Sequence, residues 1–374
     1  MPDMLQRCNK FCILLQHSPL IFVVMLMKFL KNFLVIFLIS SLFSSCNNDL
    51  KIAADWKEVT AVWGLLNAND SVHFFRITKG YLDPKTGASV GAKVEDSLYY
   101  PNLNARLEEY ALSGNNWILS RSLPLEEDRT VPKDSGFFGN KYQVLYKTQA
   151  RLDVTKMYKV VAVTPSGDEV TSETKMVNNF ALSEPARIPG VIRMSRKTNN
   201  IKFTTPANGK IHEMTARVHY TQYDPDQPTQ TNEFKYVDYT IYKNLFINSA
   251  GLFTYSLNGL EILEFLNQSL PKIDTINRQL KGIEFIVHVG GQDLATFINI
   301  NQPSTSIVQD RPSFTNIVSK KGNPTAGIFS SRIRIPTNLK DTGIDANYYL
   351  QSPTFREVSN LDSLAKYPLL KFVW

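Results

Sequence analysis

The feature that most constrains this chain is a series of short runs in which apolar and polar residues alternate. Successive side chains of a β-strand point to opposite faces, so a period of two predicts strands with one buried face. Clusters of Gly, Asn, Asp, Ser and Pro, such as 113–116 and 165–168, separate the runs and are typical of turns. Seven strands are therefore predicted, at residues 58–66, 71–80, 105–112, 117–121, 142–148, 157–163 and 170–176.

This series predicts that residues 55–180 form an antiparallel β-sandwich of immunoglobulin-like or fibronectin-like type. The composition agrees, because 22 Phe and 16 Tyr favour strands over helices. A hydrophobic fraction of 43% also excludes a disordered chain, because such chains bury too little apolar surface to fold.

Residues 181–374 are predicted to form a second β-rich domain of α+β type. Long strands are expected at 210–223 and 234–246, and further strands at 284–289 and 327–335. Leucines recur along 260–270 at the spacing of one helix face and a proline follows, which predicts an amphipathic helix. A short helix is expected at 361–367. The predicted fold class is therefore mainly β with one or two short helices.

The N-terminal region has the layout of a bacterial lipoprotein signal peptide. From Met27, a short cationic stretch with Lys28 and Lys31 precedes an apolar run at 33–43, which suits a signal peptide better than a membrane-spanning helix of about 20 residues. Two serines then precede Cys46. We therefore predict a signal peptide at 27–45 and lipidation of Cys46, whose acyl chains would hold the protein on a membrane.

The segments on either side of the signal peptide complete this prediction. Residues 46–54 are short and polar and would act as a tether. Residues 1–26 are interpreted as a misassigned upstream extension, because Gln16, His17 and Pro19 interrupt their apolar stretches. The alternative is an uncleaved N-terminal membrane helix.

Charge and cysteine content exclude several classes of function. The net charge is +7, of which +4 remains on residues 46–374, and the basic pairs Lys320–Lys321 and Arg332/Arg334 are too short for a nucleic-acid surface. Cys8, Cys12 and Cys46 are the only cysteines, so the mature chain is expected to fold without a disulfide. We expect no nucleic-acid partner.

Candidate metal and calcium motifs have simpler interpretations. His212–Glu213 lacks the second histidine of a zinc-protease helix, because Ala216 stands there and His219 would lie on the opposite strand face. Asp224 and Asp226 lack the rest of a calcium loop and are predicted to form a solvated turn. We assign no metal site.

Candidate catalytic and phosphate motifs are also incomplete. Ser330–Ser331 lies in a predicted strand without a G-x-S-x-G turn, and the segment from Gly290 to Asp293 lacks the Lys-Ser/Thr of a P-loop and is expected to be a tight turn. We therefore assign no catalytic residue and no cofactor.

Aromatic pairs near predicted strand or loop ends are the remaining candidates for a binding surface. Exposed rings at such positions would suit sugar stacking or protein contact, although most are expected to be core. These are Tyr99–Tyr100, Phe137–Phe138, Tyr220/Tyr223 and Tyr348–Tyr349.

A resemblance to known proteins rests on Cys46, on the strand pair 61–66 and 73–77, and on residues 316–317 and 327–332. With these features the chain resembles uncharacterised outer-membrane lipoproteins of Bacteroidota. The resemblance implies an exported protein that is lipid-anchored to the outer membrane, on either its periplasmic or its surface face, and that is often found with TonB-dependent receptors. It supplies no catalytic residue.

Three functions follow as hypotheses. The leading one is a non-enzymatic envelope protein that binds an outer-membrane partner, such as a TonB-dependent receptor, or an extracellular glycan or peptide. The alternatives are an envelope hydrolase acting on glycans or peptides, which would place two carboxylates in one cleft, and a structural envelope protein with a broad apolar surface.

Overall fold

A computed structural model describes most of the chain after residue 58. The described residues are 23–24, 26–34, 59–80, 93–134, 142–185, 191–194, 198–227, 233–301, 313–335, 355–359 and 367–372. The chain divides into two units, Met1–Asp55 and Trp56–Trp374.

The first unit contains the predicted signal peptide. Its described residues, within 23–34, are helical and exposed. Among the described residues, no helix has both the length and the apolar character needed to cross a bilayer. Cys8, Cys12, Cys46 and the predicted tether lie outside the described residues.

The N-terminal half of the second unit contains every strand predicted for residues 55–180. The structure adds a short strand, β5, and a short helix, α1. The elements are β1 Thr60–Leu66, β2 Val72–Lys79, α1 Glu95–Leu98, β3 Asn104–Ser113, β4 Asn116–Pro124, β5 Glu126–Asp128, β6 Leu145–Gln149, β7 Met157–Val163 and β8 Glu169–Lys175.

The C-terminal half also contains the predicted strands and helix, together with elements that the sequence pattern did not indicate. Its elements are β9 Leu182–Glu184, β10 Val191–Arg193, β11 Thr198–Thr204, β12 Ile211–Tyr223, β13 Glu233–Phe246, β14 Leu252–Asn258, α2 Gly259–Ser269, β15 Asn277–Gly290, α3 Gln292–Asn301, β16 Val318–Ser319, β17 Thr325–Ile335, β18 Phe355–Ser359 and a 3₁₀ turn at Pro368–Leu370.

The two longer helices are fixed at their starts in different ways. The Asn258 side chain accepts a hydrogen bond from the Leu260 amide and caps α2. The tight turn predicted at Gly290–Gly291 is wrong, because Gly290 ends β15 and α3 begins two residues later. Helix α3 is attached to β17, where the Ser330 hydroxyl accepts from the Leu294 amide at 3.3 Å. The helix predicted at 361–367 falls largely outside the described residues.

The described strands form three sheets, which confirms the mainly β fold with sandwich architecture. The largest has ten strands in the order β10-β18-β15-β17-β1-β2-β6-β5, with β12 and β13 joined to it through β15. The other sheets have the orders β16-β8-β7-β3-β4 and β14-β11-β9.

Strand β17 joins the two halves of the chain. Its first part pairs with β1 in parallel, from Thr325 opposite Thr60 to Ser331 opposite Leu66. Its second part pairs with β15 antiparallel, beginning with Arg332 opposite Gly290. The sandwich expected to be antiparallel therefore contains a parallel pair, because a strand from the far end of the chain completes it.

Two hydrophobic cores lie on the ten-stranded sheet. The first lies between β17-β1-β2-β6 and the sheet containing β3, β7 and β8, and it includes Phe75, Tyr158 and Phe329. The second lies between β12-β15-β17 and the layer of β11, β14 and α2. Met176 belongs to the first core and the next residue, Val177, to the second, close to the domain boundary expected at residue 180. Ile317 and Phe329, much later in the chain, belong to the first core.

Candidate functional site

The main candidate site is an open groove on the face of the ten-stranded sheet that points away from the first core. We call it the aromatic groove, and its volume is ≈ 460 Å³. Trp63 of β1 and Phe74 of β2 are 40% and 44% exposed there. The described residues that line it are Trp63, Gly64, Leu65, Asp70, Val72, His73, Phe74, Phe75, Arg76, Gln143, Leu145, Leu294, Phe297, Ile328 and Arg332.

Strand alternation places the aromatic side chains in the groove. Val62 and Leu66 of β1 are buried in the first core, so the alternate residues Trp63 and Leu65 face the other side. On β2, Phe75 is buried and its neighbour Phe74 is exposed for the same reason. One sheet face is thus apolar core, and the opposite face presents rings to solvent.

Helix α3 forms one wall of the groove. Phe297 contacts the Trp63 ring edge to face, with centroids 5.8 Å apart and planes at 88°. Such pairs are worth about 0.5–1.5 kcal/mol beyond the area they bury. The helix therefore fixes the Trp63 ring while leaving part of it exposed.

Two arginines give the groove a positive balance. Arg76 is the cross-strand neighbour of Trp63, and Arg332 extends from β17 on the face that carries Ile328. Neither guanidinium has an ion-pair partner within the part of the chain that the structure describes. Asp70 is the one carboxylate among the described lining residues, and it accepts a hydrogen bond from the Asn67 side chain at 2.9 Å.

His73 adds no charge to the groove at neutral pH. Its ring nitrogen Nε2 lies 3.0 Å from the carbonyl oxygen of Ala150, and its side chain is buried. Burial lowers the pKa of His73, although the contact with Ala150 and the charge of Asp70 act in the other direction. A neutral imidazole is therefore the expected form.

A second groove, of ≈ 290 Å³, lies on the other side of α3. It is lined by His212, Glu213, His288 and Arg332, among others. Burial lowers the pKa of His288, as do the charges of Arg334 and Arg332, whereas Glu213 raises it. No cluster of three His, Cys, Asp or Glu side chains that could hold a metal occurs within the described ranges.

The two histidines of β12, His212 and His219, lie on opposite faces of the strand, as the sequence indicates. His212 is buried and stacks on Phe203 of the second core, with centroids 6.0 Å apart. Burial lowers its pKa to about 4, despite the nearby backbone groups of Leu245 and Lys210. His219 lies on the other face, where its Nε2 is 3.2 Å from Oε2 of Glu284.

A third cavity, of ≈ 250 Å³, contains two carboxylates. Glu173 of β8 and Asp293 of α3 both line it, together with Lys175 and Lys210. Burial raises the pKa of Asp293, a hydrogen bond from Asn316 lowers it, and the charge of Glu173 raises it further. Sequence reasoning singled out neither carboxylate as a pair member, because the two residues are distant in the chain.

Three of the tyrosines considered from the sequence as binding candidates are buried in the described part of the chain. Tyr99, Tyr100 and Tyr220 are at most 6% exposed, and the Tyr100 hydroxyl is 2.8 Å from the hydroxyl of Thr60. Tyr99 and Tyr220 belong to the two cores, as expected for most of these rings, while Tyr223 is partly buried. Phe137–Phe138 and Tyr348–Tyr349 lie outside the described residues.

The remaining polar motifs have structural partners. Asp224 accepts a hydrogen bond from the Asp226 amide at 3.0 Å, which forms the expected turn. Ser331 donates to the Lys175 carbonyl at 2.7 Å, and the Lys321 amide donates to the Asp168 carboxylate at 3.1 Å. These groups hold loops and strands together.

Comparison with protein families and with curated proteins gives no match. Among solved structures, the chain is similar to the C-terminal globular domain of an oligosaccharyltransferase from Pyrococcus abyssi, with 14% identity, a TM-score of 0.21 and coverage of 61% of this chain and 45% of that one. It is also similar to a tetra-tandem repeat from the extending region of a large adhesion protein, with 11% identity, a TM-score of 0.17 and coverage of 75% and 50%. The chain thus spans half or less of either structure.

Proposed function

We propose that this chain is a lipid-anchored cell-envelope protein that binds an extracellular ligand through the aromatic groove, without catalysing a reaction. The observation that carries the proposal is the pair of large, partly exposed rings, Trp63 and Phe74, in a concave site on a sheet. Aromatic side chains supply large contact areas and dominate many binding sites. The volume lies within the range of ligand pockets.

The proposed location rests on the sequence around Cys46. A cationic stretch, an apolar run and two serines precede this cysteine, as in a lipoprotein signal peptide. Acyl chains at Cys46 would place the groove at the surface of the outer membrane, beside a TonB-dependent receptor or another outer-membrane protein. The anchor and the groove then have separate roles, attachment and capture.

The anchor is tested by replacing Cys46 with serine. We expect the wild-type protein to incorporate labelled palmitate and to fractionate with membranes, and Cys46→Ser to lose the label and leave the membrane fraction. Two acyl chains hold a protein stably where one is marginal. Membrane association that is unchanged in Cys46→Ser would contradict the proposed anchor.

The groove is tested by truncating its rings. A panel of neutral oligosaccharides, acidic oligosaccharides and peptides is titrated against residues 47–374, and at least one probe is expected to bind. Trp63→Ala should weaken that binding by about tenfold or more, since central aromatic residues contribute most of the energy of a site. Tyr236→Ala is the matched control, because Tyr236 is 55% exposed on β13 and does not line the groove. Equal loss in both variants would argue against the site.

A second candidate function, hydrolysis of glycans or peptides, is favoured by one observation. Glu173 and Asp293 share a cavity, and burial raises the pKa of Asp293, which suits a general acid. If the protein is a hydrolase, it should release products from one of the probes, and Asp293→Asn should abolish that release while leaving binding to the aromatic groove intact.

A further inference from the structure

We infer that the ligand of the aromatic groove is an acidic glycan, a sugar chain that carries carboxylate groups. This inference rests on the proposed function and names the chemistry of its ligand. Its basis is the combination, in one groove, of exposed rings and arginines that have no anionic partner among the described residues.

The arginines favour an anionic ligand. Arg76 lies opposite Trp63 in the β1–β2 register, so their Cβ atoms are about 5 Å apart and both side chains can contact one ligand. Arg332 lines the same groove from β17. Arginine binds carboxylates in a bidentate geometry, and this planar recognition is stronger than a hydrogen bond between neutral groups.

The remaining lining residues do not neutralise this charge. Asp70 is the single described carboxylate in the groove, and it already accepts a hydrogen bond from Asn67. His73 is neutral at pH 7 because burial lowers its pKa. A ligand without negative charge would therefore leave a guanidinium group uncompensated, which costs affinity when the site loses water.

The sheet under the groove favours a sugar over a peptide. Peptides often bind sheets by adding a strand to a free edge. Here β1 is paired on both sides, with β17 and β2, and β2 is paired with β1 and β6. The backbone groups under the groove are already bonded, so recognition depends on side chains. Ring faces at Trp63 and Phe74 match the flat apolar face of a sugar ring, and the arginines match its carboxylates.

The test compares three defined probes by calorimetric titration of residues 47–374. The probes are an oligogalacturonate, the same oligosaccharide with its carboxylates methyl-esterified, and an acidic peptide of glutamate residues. We expect the oligogalacturonate to bind roughly tenfold tighter than its ester, with affinity that falls as salt rises. If the peptide binds more tightly than the oligogalacturonate, the inference that the ligand is a glycan is wrong. If the acid and its ester bind equally, the inferred preference for charge is wrong, while the proposed binding function still stands.

Substitutions then test which side chains produce the preference for the acidic glycan. Arg76→Gln and Arg332→Gln should each weaken oligogalacturonate binding by roughly tenfold and leave ester binding unchanged, whereas Trp63→Ala should weaken both. Arg193→Gln is the matched control, because Arg193 is an exposed arginine of β10 that does not line the groove. All four positions are partly or fully exposed, and an unchanged thermal midpoint checks that each variant folds. If Arg193→Gln matches the groove variants, the contact is non-specific and the inference fails.

Discussion

At the scale of the residue, Gly327 shows how closely β17 approaches β1. Its φ of +93° lies in the region that favours glycine, and a Cβ atom at this position would collide with the backbone of Val62. Gly327 is also the register partner of Val62 in the parallel pair. The glycine is therefore needed both for its backbone conformation and for the absence of a side chain.

Replacing Gly327 tests this requirement. Gly327→Ala should lower the free energy of unfolding by more than about 3 kcal/mol, because the clash with backbone atoms adds to the unfavourable φ. Gly322→Ala is the matched control: Gly322 has a φ of +75° with open space around it, so only about 1 kcal/mol should be lost. Urea unfolding of both variants measures the difference, and similar losses would contradict the close approach.

Prediction from the sequence placed residues correctly along the strands but left the exposure of single aromatic rings undecided. The alternating pattern correctly placed Trp63 and Phe74 in strands. It shows that alternate residues share a face, but not which face another layer covers. Which face is covered depends on a second sheet and on α3, and both involve residues distant in sequence. For the same reason the sequence did not decide which tyrosines beside predicted loops are core, and Tyr99 and Tyr100 are buried.

Among the secondary-structure elements, β17 is held in place by the hydrogen bonds of two serines, Ser330 and Ser331. The Ser331 hydroxyl donates to the Lys175 carbonyl and accepts from the Val177 amide at 3.1 Å, where the chain passes from one core to the other. The neighbouring Ser330 faces the opposite side of the sheet and accepts from the Leu294 amide of α3. One strand thereby positions both the crossover segment and the wall of the aromatic groove.

Alanine substitution of these serines should separate the two contacts. Ser331→Ala leaves the amide of the buried Val177 without its hydrogen-bond acceptor, so a loss of about 1–3 kcal/mol is expected. Ser330→Ala removes one longer bond and should cost less, but it loosens α3 and should weaken ligand binding in the groove. Chemical unfolding measures the loss of stability, and titration with whichever probe binds the wild-type groove measures the loss of binding. A larger stability loss in Ser330→Ala would contradict this division.

Element prediction worked where the signal is local. The strands of the first sandwich, the strands β12 and β13 and the helix α2 all have periodic patterns or clear end signals. Helix α3 was missed because Thr296, Phe297 and Ile298 favour strands, and its helical form depends on packing against β17. The parallel pairing of β1 with β17 has no local signal, since the partners come from opposite ends of the described chain.

At the scale of the whole molecule, buried histidines make stability depend on pH. The pKa of His212 is lowered from 6.5 to about 4 in the folded protein. A lowered histidine pKa means that the unfolded chain binds protons first, so the stability contributed by neutral His212 is present above pH 6.5 and is lost as the pH falls through 4. His73 shifts in the same direction.

Acid unfolding should therefore begin in this window. The free energy of unfolding should fall by up to about 3 kcal/mol between pH 6.5 and 4 through His212 alone, and His212→Phe, which can stack on Phe203, should flatten that part of the profile. Denaturant unfolding across the pH range measures the slope. An unchanged slope in His212→Phe would show that other groups dominate.

The shared strand β17 also sets an order of events during synthesis. When the ribosome has made the first half of the chain, β1 still lacks its parallel neighbour and exposes an unpaired edge, which is a hazard for aggregation. The nascent protein cannot complete the sheet of its first half until β17, Thr325–Ile335, has been synthesised. If the proposed signal peptide directs export, this delay would keep the chain unfolded while it passes through the export channel. Folding would then finish on the far side of the membrane.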